Sequence, residues 1–338
     1  MQPLCPSRGS GGKIAAMDRW LTGALSLALL AGLASCGGPS SQGTCGMSGG
    51  HPHPDIGGEI LYYCWDQPAV NGGIYLLDVA TGRARALTSD LAYNLDGAWS
   101  PDGSTIAFQS TREGRDEIFT MDADGGQIRR LTDGRGFNEY PSWSPDGRWI
   151  LFNSTRDGIA DGGGTGYYRD LYLMRPDGTD VHRVSRHSGT FAFAAWSPDG
   201  RTLAFQSDRS GPTWDVYTMG VDGSGIRQLT QHEKTEGFAA FPRWSPDGTR
   251  IVFGASMHGE PGSIYWLTVG EEQAHRVTTG VSGLRWDGFA DWSPDGRWIV
   301  FERNASDAQL FAVRPDGSDL TQLTDGRGYK ALPRWRPQ

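Results

Sequence analysis

The sequence predicts an all-β fold, a six-bladed β-propeller, and three observations support this prediction. The stretch WSPDG occurs five times, and an incomplete sixth copy, WRPQ, closes the chain; the six copies begin at Trp99, Trp143, Trp196, Trp244, Trp292 and Trp335. Successive copies are 43 to 53 residues apart. Short runs rich in Ile, Val, Phe and Tyr fill the intervals. Self-similarity at this period, with four short strands per repeat, is typical of propeller blades.

The WSPDG copies predict tight turns between the first two strands of each blade. In SPDG, Pro occupies the second turn position, where its fixed φ suits a type I turn, and Ser and Gly fit the first and fourth positions. β-type runs follow the turns: TIAFQS, WILFNS, TLAFQS, RIVFGA and WIVFER. After a variable loop come EIFTMD, DLYLMR, DVYTMG, SIYWLT and QLFAVR, and a third run ends each repeat. These runs are too short for core helices, so we expect four antiparallel strands per blade.

The two ends of the repeat region predict how the ring closes. Residues 59–88 contain three β-type runs but lack a leading WSPDG strand, and the C-terminal ALPRWRP contains only that strand. An open ring would leave two unpaired sheet edges, which favour aggregation. We therefore expect the C-terminal strand to complete the first blade, so that residues 59–338 form one closed propeller.

The residues before the repeats have the pattern of a bacterial export signal. Met17-Asp18-Arg19 precedes an apolar run from Leu21 to Leu33, which is too short to span a bilayer. The stretch LASC, which ends at Cys36, resembles a bacterial lipobox. The resemblance implies cleavage before Cys36 and acylation of that cysteine, and a plain secretory signal is the alternative.

This signal divides the chain into four parts. We expect residues 1–16 to come from a mis-called start, residues 17–35 to be a lipoprotein signal peptide, residues 36–58 to be a flexible Gly/Ser-rich tether, and residues 59–338 to be the propeller. Gly37 follows the acylated cysteine, and by resemblance to lipoprotein sorting this favours the outer membrane. Whether the domain faces the periplasm or the outside stays open.

The four cysteines predict one disulfide. Cys5 lies before the signal and Cys36 would be acylated, which leaves Cys45 and Cys64 for pairing in an oxidising compartment. This bond would fix the tether to the propeller.

The WSPDG copies in register resemble the TolB-like propeller repeat, in which motifs of this type recur once per blade. The resemblance covers residues 59–338 and implies a six-bladed propeller. The TolB protein also carries an α/β domain before its propeller, whereas only about twenty residues separate Cys36 from the first predicted strand here. The chain therefore differs from TolB itself in this part.

One face of the predicted propeller carries the variable loops. We name the strands of a blade A to D from the channel outward. The A–B and C–D turns have nearly constant sequences and lie on one face, the turn face. The D–A connections and B–C loops then lie on the opposite face, the loop face. Propeller ligands usually meet variable loops and the channel mouth, so we expect the binding site there.

The D–A connections supply the candidate binding residues. The aromatic set, six residues before a motif tryptophan, is Tyr93, Phe137, Phe238, Trp286 and Tyr329. The polar set, one residue later, is Asn94, Asn138, Asp287 and Lys330; Phe191, Asp96 and Tyr140 are further candidates. Aromatic rings between polar groups can bind a peptide or a sugar. Packing between blades is the alternative role for the aromatic set, whereas packing does not require the polar set, which is therefore the better binding candidate.

Composition and motifs argue against several functions. The 31 basic and 39 acidic residues include no basic run, so we expect no nucleic-acid partner. No two histidines are spaced as metal ligands within one predicted element, and we expect no metal, cofactor or catalytic residue. His187 and His232 lie in D–A connections of neighbouring blades and could meet on the loop face. Some propeller lyases that act on oligogalacturonate have a histidine-based metal site, so a metal-dependent polysaccharide lyase is the alternative function.

These expectations combine into one predicted function. The chain would be a cell-envelope lipoprotein whose propeller binds an envelope protein or a glycan through its loop face and channel mouth. The lipid anchor would be its only membrane contact, and we expect a monomer. A structural scaffold without a specific ligand is a further alternative.

Overall fold

The structure is a computed structural model that describes residues 50–65, 72–89, 92–157, 169–185, 189–231, 237–257, 260–279, 286–304 and 307–338. Residues 1–16, the predicted signal peptide, Cys36 and Cys45 lie outside these described residues. Within them, no helix is long and apolar enough to cross a membrane.

Twenty-four strands account for the regular structure of the described residues. In chain order they are β1 (Glu59–Trp65), β2 (Gly72–Asp78), β3 (Arg83–Ala86), β4 (Asn94–Trp99), β5 (Thr105–Ser110), β6 (Glu117–Asp122), β7 (Arg129–Arg130), β8 (Asn138–Trp143), β9 (Ile150–Ser154), β10 (Asp170–Met174), β11 (His182–Arg183), β12 (Ala192–Trp196), β13 (Thr202–Ser207), β14 (Asp215–Gly220), β15 (Arg227–Gln228), β16 (Gly237–Trp244), β17 (Arg250–Met257), β18 (Ser263–Thr268), β19 (Ala274–Arg276), β20 (Trp286–Trp292), β21 (Ile299–Asn304), β22 (Ala308–Val313), β23 (Thr321–Gln322) and β24 (Tyr329–Trp335).

The strands form six antiparallel sheets of four strands each, and each sheet is one blade. Five blades use four consecutive strands, whereas the first blade has the order β24-β1-β2-β3. β24 pairs with β1 from Ile60 opposite Trp335 to Trp65 opposite Tyr329. The six-bladed propeller and its closure by the C-terminal strand are therefore confirmed.

The SPDG turns have the predicted geometry. In the second blade, the backbone N–H of Gly103 donates to the carbonyl oxygen of Ser100 at 2.8 Å, and Gly103 has a φ of 65°. The Ser100 hydroxyl donates to Asp102 at 2.6 Å and accepts from the N–H of Thr105 at 2.9 Å. The hydrogen bond from Ser100, followed by those from Ser104, lowers the pKa of Asp102. A turn that binds its own carboxylate in this way ends the inner strand at a defined residue.

The core lies between the blades. Equivalent phenylalanines in the second strands are fully buried, namely Phe108, Phe152, Phe205, Phe253 and Phe301. Each blade covers the apolar face of the next one, so the hydrophobic stabilisation is distributed around the ring.

The last part of the predicted tether is bound to the propeller. The backbone N–H of His51 donates to Leu323 O, and that of His53 donates to Val79 O, both at 3.0 Å. Ile56 is 3% exposed and packs in the core between the sixth and first blades. An apolar side chain and two backbone hydrogen bonds therefore hold residues that were expected to be flexible, and the folded domain begins before residue 59.

A bulge interrupts each inner strand three residues before its motif tryptophan. Register shifts mark these points in all six inner strands. The residues with positive φ there are Asp96 (44°), Tyr140 (55°), Phe193 (51°), Phe241 (60°), Phe289 (49°) and Leu332 (55°). Positive φ is uncommon for residues other than glycine, and a bulge re-aims the side chain that it carries. The bulges determine which side chains enter the channel.

Candidate binding site in the central channel

Four aromatic side chains close the channel part of the way along the inner strands. Tyr140, Phe193, Phe241 and Phe289 occupy the bulge position in four consecutive blades. Ring centroids lie 3.9 Å apart for Tyr140 and Phe193, and also for Phe241 and Phe289. Phe193 and Phe289 lie 5.9 Å apart although a whole blade separates them. Rings from blades that are not neighbours can meet only near the propeller axis, so these four residues form an aromatic plug.

Burial affects the one phenol of the plug. It raises the pKa of the Tyr140 hydroxyl well above its ordinary value, and the nearby Glu139 carboxylate raises it further. The Tyr140 hydroxyl therefore stays neutral at physiological pH, and the plug adds no charge to the channel.

The members of the aromatic set are partly exposed and stand at the loop-face ends of the inner strands. Phe137 is 41% exposed, and Tyr93, Phe238, Trp286 and Tyr329 are each partly exposed. They stand at or next to the first residue of their inner strands. The five residues therefore lie where the inner strands begin, on the loop-face side of the plug.

Trp286 contacts the plug from the loop-face side. Its ring centroid lies 5.9 Å from that of Phe241 and 5.6 Å from that of Phe289, both in edge contacts. Two glycines make room for the indole, because a Cβ at Gly262 or Gly288 would lie 2.0 or 1.9 Å from a ring carbon of Trp286. Trp286 thus joins the loop-face end of the sixth blade to the plug.

The polar set is buried and bonded within the chain. Asn94 is 0% exposed, and its Oδ1 accepts hydrogen bonds from the Ser110 hydroxyl and from Nη2 of Arg112, both at 2.8 Å. The same arrangement recurs around Asn138, with the equivalent serine and arginine of the next blade at 2.8 and 3.0 Å. These amides link the inner strand of a blade to its second strand and the loop that follows.

Asp287 and Lys330 have comparable roles in other blades. The Asp287 carboxylate accepts two hydrogen bonds of 2.7 Å from the Arg303 guanidinium. The Lys330 ammonium donates to the carbonyl oxygens of Arg327 at 3.0 Å and Gly328 at 3.4 Å. Both side chains are at most 3% exposed.

The polar set is therefore internal to the fold. The argument that packing does not require it fails, because each of its members has hydrogen-bond partners within the chain, and Asn138 also donates to Glu117 of the neighbouring blade at 2.9 Å. The aromatic set, for which packing was the alternative role, is the more exposed of the two sets. Phe191 belongs with the buried residues, since it is 0% exposed and its ring lies 5.1 Å from that of Phe205.

Sequence reasoning missed a buried carboxyl beside the mouth. Glu302 is 0% exposed, and its Oε1 accepts a hydrogen bond of 3.1 Å from the Tyr329 hydroxyl. Burial raises the pKa of Glu302 to about 8, although the hydrogen bond from Tyr329 lowers it in part. Glu302 stands where the fourth blade has Gln206, so an acidic residue within the apolar run WIVFER was the available signal.

On the turn-face side of the plug the channel contains charged groups. Asp96, a predicted binding residue, is 2% exposed and forms an ion pair of 3.1 Å with Arg334. Arg243 and Asp291 lie close enough to influence the same groups electrostatically. Asp96 therefore belongs to the interior of the channel and not to its mouth.

The structure describes only some of the residues on which the alternative lyase function would depend. His187 and His232 lie outside the described residues. Among the described residues, no group of three or more His, Cys, Asp or Glu could hold a metal ion. Cys64 is disulfide-bonded, while its predicted partner Cys45 lies outside the described residues.

Comparisons with known proteins support the assignment of the repeat. Residues 55–161 match the family model described as the TolB beta propeller domain. The Tol-Pal system protein TolB of Syntrophus aciditrophicus (strain SB) is 37% identical over 57 residues, which are 17% of this chain. The chain spans only 5% and 12% of the length of the two curated relatives that it matches.

Solved structures show the same fold. TolB from Acinetobacter baumannii superposes with a TM-score of 0.69 at 24% identity, over 83% of this chain and 67% of that one. An oligogalacturonate lyase from Vibrio parahaemolyticus gives a TM-score of 0.52 at 15% identity, over 75% of this chain and 71% of that one. At these identities the likeness concerns the fold alone. The WSPDG repeats and the six closed blades show that this chain forms a six-bladed β-propeller, and residues 55–161 are similar to the TolB beta propeller domain.

Proposed function

We propose that this chain is a cell-envelope lipoprotein whose propeller binds a segment of a partner protein in the channel mouth on the loop face. The observation that carries the proposal is the partly exposed aromatic set at the loop-face ends of the inner strands, together with the contact of Trp286 with the plug. The TolB-like fold supports a protein-binding scaffold at a coarse level.

The shape of this surface suits insertion of a short segment. Because the plug closes the channel, we expect the mouth to be a concave site with an aromatic floor, and concave aromatic sites are typical of ligand pockets. Aromatic residues supply large contact area and are enriched at protein interfaces. A glycan would also stack on these rings, and we treat it as the second possible ligand of the same site.

Anchoring in the envelope rests on the sequence. The LASC stretch predicts acylation at Cys36, and the oxidised state of Cys64 suits an exported protein. One of the matched curated relatives is named as a Tol-Pal system protein. We propose a monomeric domain held at the outer membrane by its lipid anchor alone.

Affinity capture from solubilised envelope tests this function. The bait is the chain from Gly37 onward, which lacks the lipid anchor, compared with the variant Phe137→Ala/Trp286→Ala. We expect a reproducible protein partner that the double variant captures at least about tenfold less well, since alanine at a hot-spot aromatic costs about 2 kcal/mol or more. The matched control is Leu320→Ala, because Leu320 is 48% exposed but stands just before β23, in the C–D connection on the turn face.

The outcomes separate the candidate functions. Equal capture by the wild type and the double variant would remove the mouth as the binding site. If no protein is captured, a glycan array with and without divalent metal follows. Cleavage of a polysaccharide in the presence of metal would replace the binding function with the lyase alternative.

A further inference from the structure

The channel between the plug and the turn face has one charged side and one side of small residues. The residue before each motif tryptophan lies on this part of the inner strand. In ring order from the fifth blade these residues are Arg243, Asp291, Arg334, Ala98, Ser142 and Ala195. Three consecutive blades carry charged side chains there, and the three opposite blades carry small ones. We call the space between them the turn-face lumen.

Arg243 has an incomplete set of partners in this lumen. Its Nη1 donates to the carbonyl oxygens of Pro242 at 2.9 Å and Phe193 at 3.3 Å. Among the described residues, no carboxylate lies within ion-pair distance of Arg243, and no acceptor meets its Nε or Nη2. The side chain keeps partial exposure. Nε and Nη2 form one edge of the guanidinium, which is the edge that binds a carboxylate through two parallel hydrogen bonds.

The neighbouring charges are already engaged elsewhere. Arg334 pairs with Asp96 at 3.1 Å, and Oδ2 of Asp291 accepts the backbone N–H of Trp335 at 3.0 Å. Burial raises the pKa of Asp291, which weakens it as a counter-ion. Burial, followed by the repulsion from Arg334, lowers the pKa of Arg243 to about 9. An additional negative charge beside Arg243 would favour its charged form and offset the repulsion from Arg334.

We propose that the turn-face lumen binds a carboxylate group through Nε and Nη2 of Arg243. A monoanion fits better than a doubly charged phosphate, because Asp96 and Asp291 face the same space and repel a second negative charge. The small residues Ala98, Ser142 and Ala195 leave room for the chain that bears the carboxylate. This site lies on the opposite side of the plug from the proposed protein-binding mouth, so it is a second and separate site.

Two sources can supply this chemistry, a free small carboxylic acid and the C-terminal carboxylate of a peptide that enters from the turn face. Titration calorimetry on the full chain, purified in detergent, distinguishes them. The probes are sodium acetate, N-acetyl-trialanine with a free acid, and the same peptide as its amide, at constant ionic strength made up with sodium chloride. We expect the peptide acid, acetate or both to bind, and the peptide amide to give no heat.

Three variants locate the binding. Arg243→Gln should weaken binding by about tenfold or more, because a hydrogen bond to a charged group is lost. Asp291→Asn should strengthen binding several-fold, since it removes a like charge yet keeps an acceptor for the Trp335 N–H. Arg148→Gln is the matched control, because Arg148 is an exposed arginine of an SPDG turn, and it should leave binding unchanged.

Opposite results would overturn the site. Undiminished binding by Arg243→Gln, weaker binding by Asp291→Asn, or equal binding of the peptide acid and its amide would each do so. Binding of chloride with the same heat as the carboxylates would also overturn the site. If Arg243→Gln does not fold, as judged by circular dichroism, the comparison of Asp291→Asn with Arg148→Gln decides the question.

Discussion

The guanidinium of Arg303 makes two hydrogen bonds of 2.7 Å to the carboxylate of Asp287 within the sixth blade. Asp287 is 1% and Arg303 9% exposed, so the pair is sealed from solvent. A side chain that the sequence placed in a binding face is therefore part of the internal framework, and its removal is a test of stability.

Asp287→Ala should lower the free energy of unfolding by about 3–5 kcal/mol, because it leaves the Arg303 charge buried without a partner. Urea unfolding measures this loss. The double variant Asp287→Ala/Arg303→Met should recover much of it. Glu260→Ala is the control, since it breaks an exposed ion pair with Arg276 and should cost less than about 1 kcal/mol. If Asp287→Ala also lowered the free energy of unfolding by less than about 1 kcal/mol, the interpretation as a buried ion pair would be wrong.

Glu302 should make stability depend on pH. Its pKa is about 8 in the folded chain, against an ordinary value of 4.5, so the folded state holds a proton that the unfolded chain releases between these values. The protonated carboxyl contributes fully to the free energy of unfolding below about pH 4.5. This contribution declines as the pH rises from about 4.5 to about 8, and it is lost above about pH 8. Each pKa unit between the folded and unfolded values changes the free energy of unfolding by about 1.4 kcal/mol.

Glu302→Gln should flatten this decline, because glutamine does not titrate and still accepts the Tyr329 hydrogen bond. Urea unfolding at pH 5 and pH 8 of both proteins measures the difference in slope. Glu113→Gln, which changes a surface carboxylate, should keep the wild-type slope. Identical slopes for the wild type and Glu302→Gln would show that this carboxyl is ionised in the fold.

Removal of β24 should abolish the folded propeller. A chain that ends at Gly328 leaves β1 without its inner partner and takes away Trp335, which packs in the core of the first blade. We expect loss of the cooperative unfolding transition and elution as aggregates in gel filtration, because the unpaired edge remains open. A chain that ends at Arg336 keeps the whole strand and should behave as the wild type does. Monomeric elution of the shorter chain would contradict the need for closure.

The disulfide of Cys64 should join it to Cys45. Digestion without reduction, followed by mass spectrometry, should yield a linked peptide that contains both residues and disappears on reduction. Cys45→Ser should lower the free energy of unfolding by about 2–4 kcal/mol, the usual range for the loss of such a bond. A linked peptide that contains Cys64 and a different cysteine would refute the pairing.

The architecture was predictable because its signals are local. Proline restricts φ in each SPDG turn, Gly103 and its equivalents take the positive φ that follows, and short apolar runs of β-branched and aromatic residues favour strands. The incomplete sixth copy indicated closure because a missing strand and a surplus strand stood at opposite ends of the chain.

The roles of the candidate residues were not predictable in the same way. Positive φ is normally indicated by glycine or asparagine, yet the bulges place Phe193, Phe241 and Leu332 in this conformation. No local signal therefore revealed which side chains meet on the axis. Asn138 looked available because its partners, Ser154 and Arg156, are distant in sequence and meet it only when the blade forms.

The sequence by itself determined the repeat, the turns, the strands and the closure, because each depends on residues a few positions apart or on the count of repeats. The tertiary structure alone decided that the channel is closed by aromatic rings, that the polar set is internal, and that Arg243 lies close to Asp291 and Arg334. These features depend on contacts between side chains from different blades, and only the closed ring brings those side chains together.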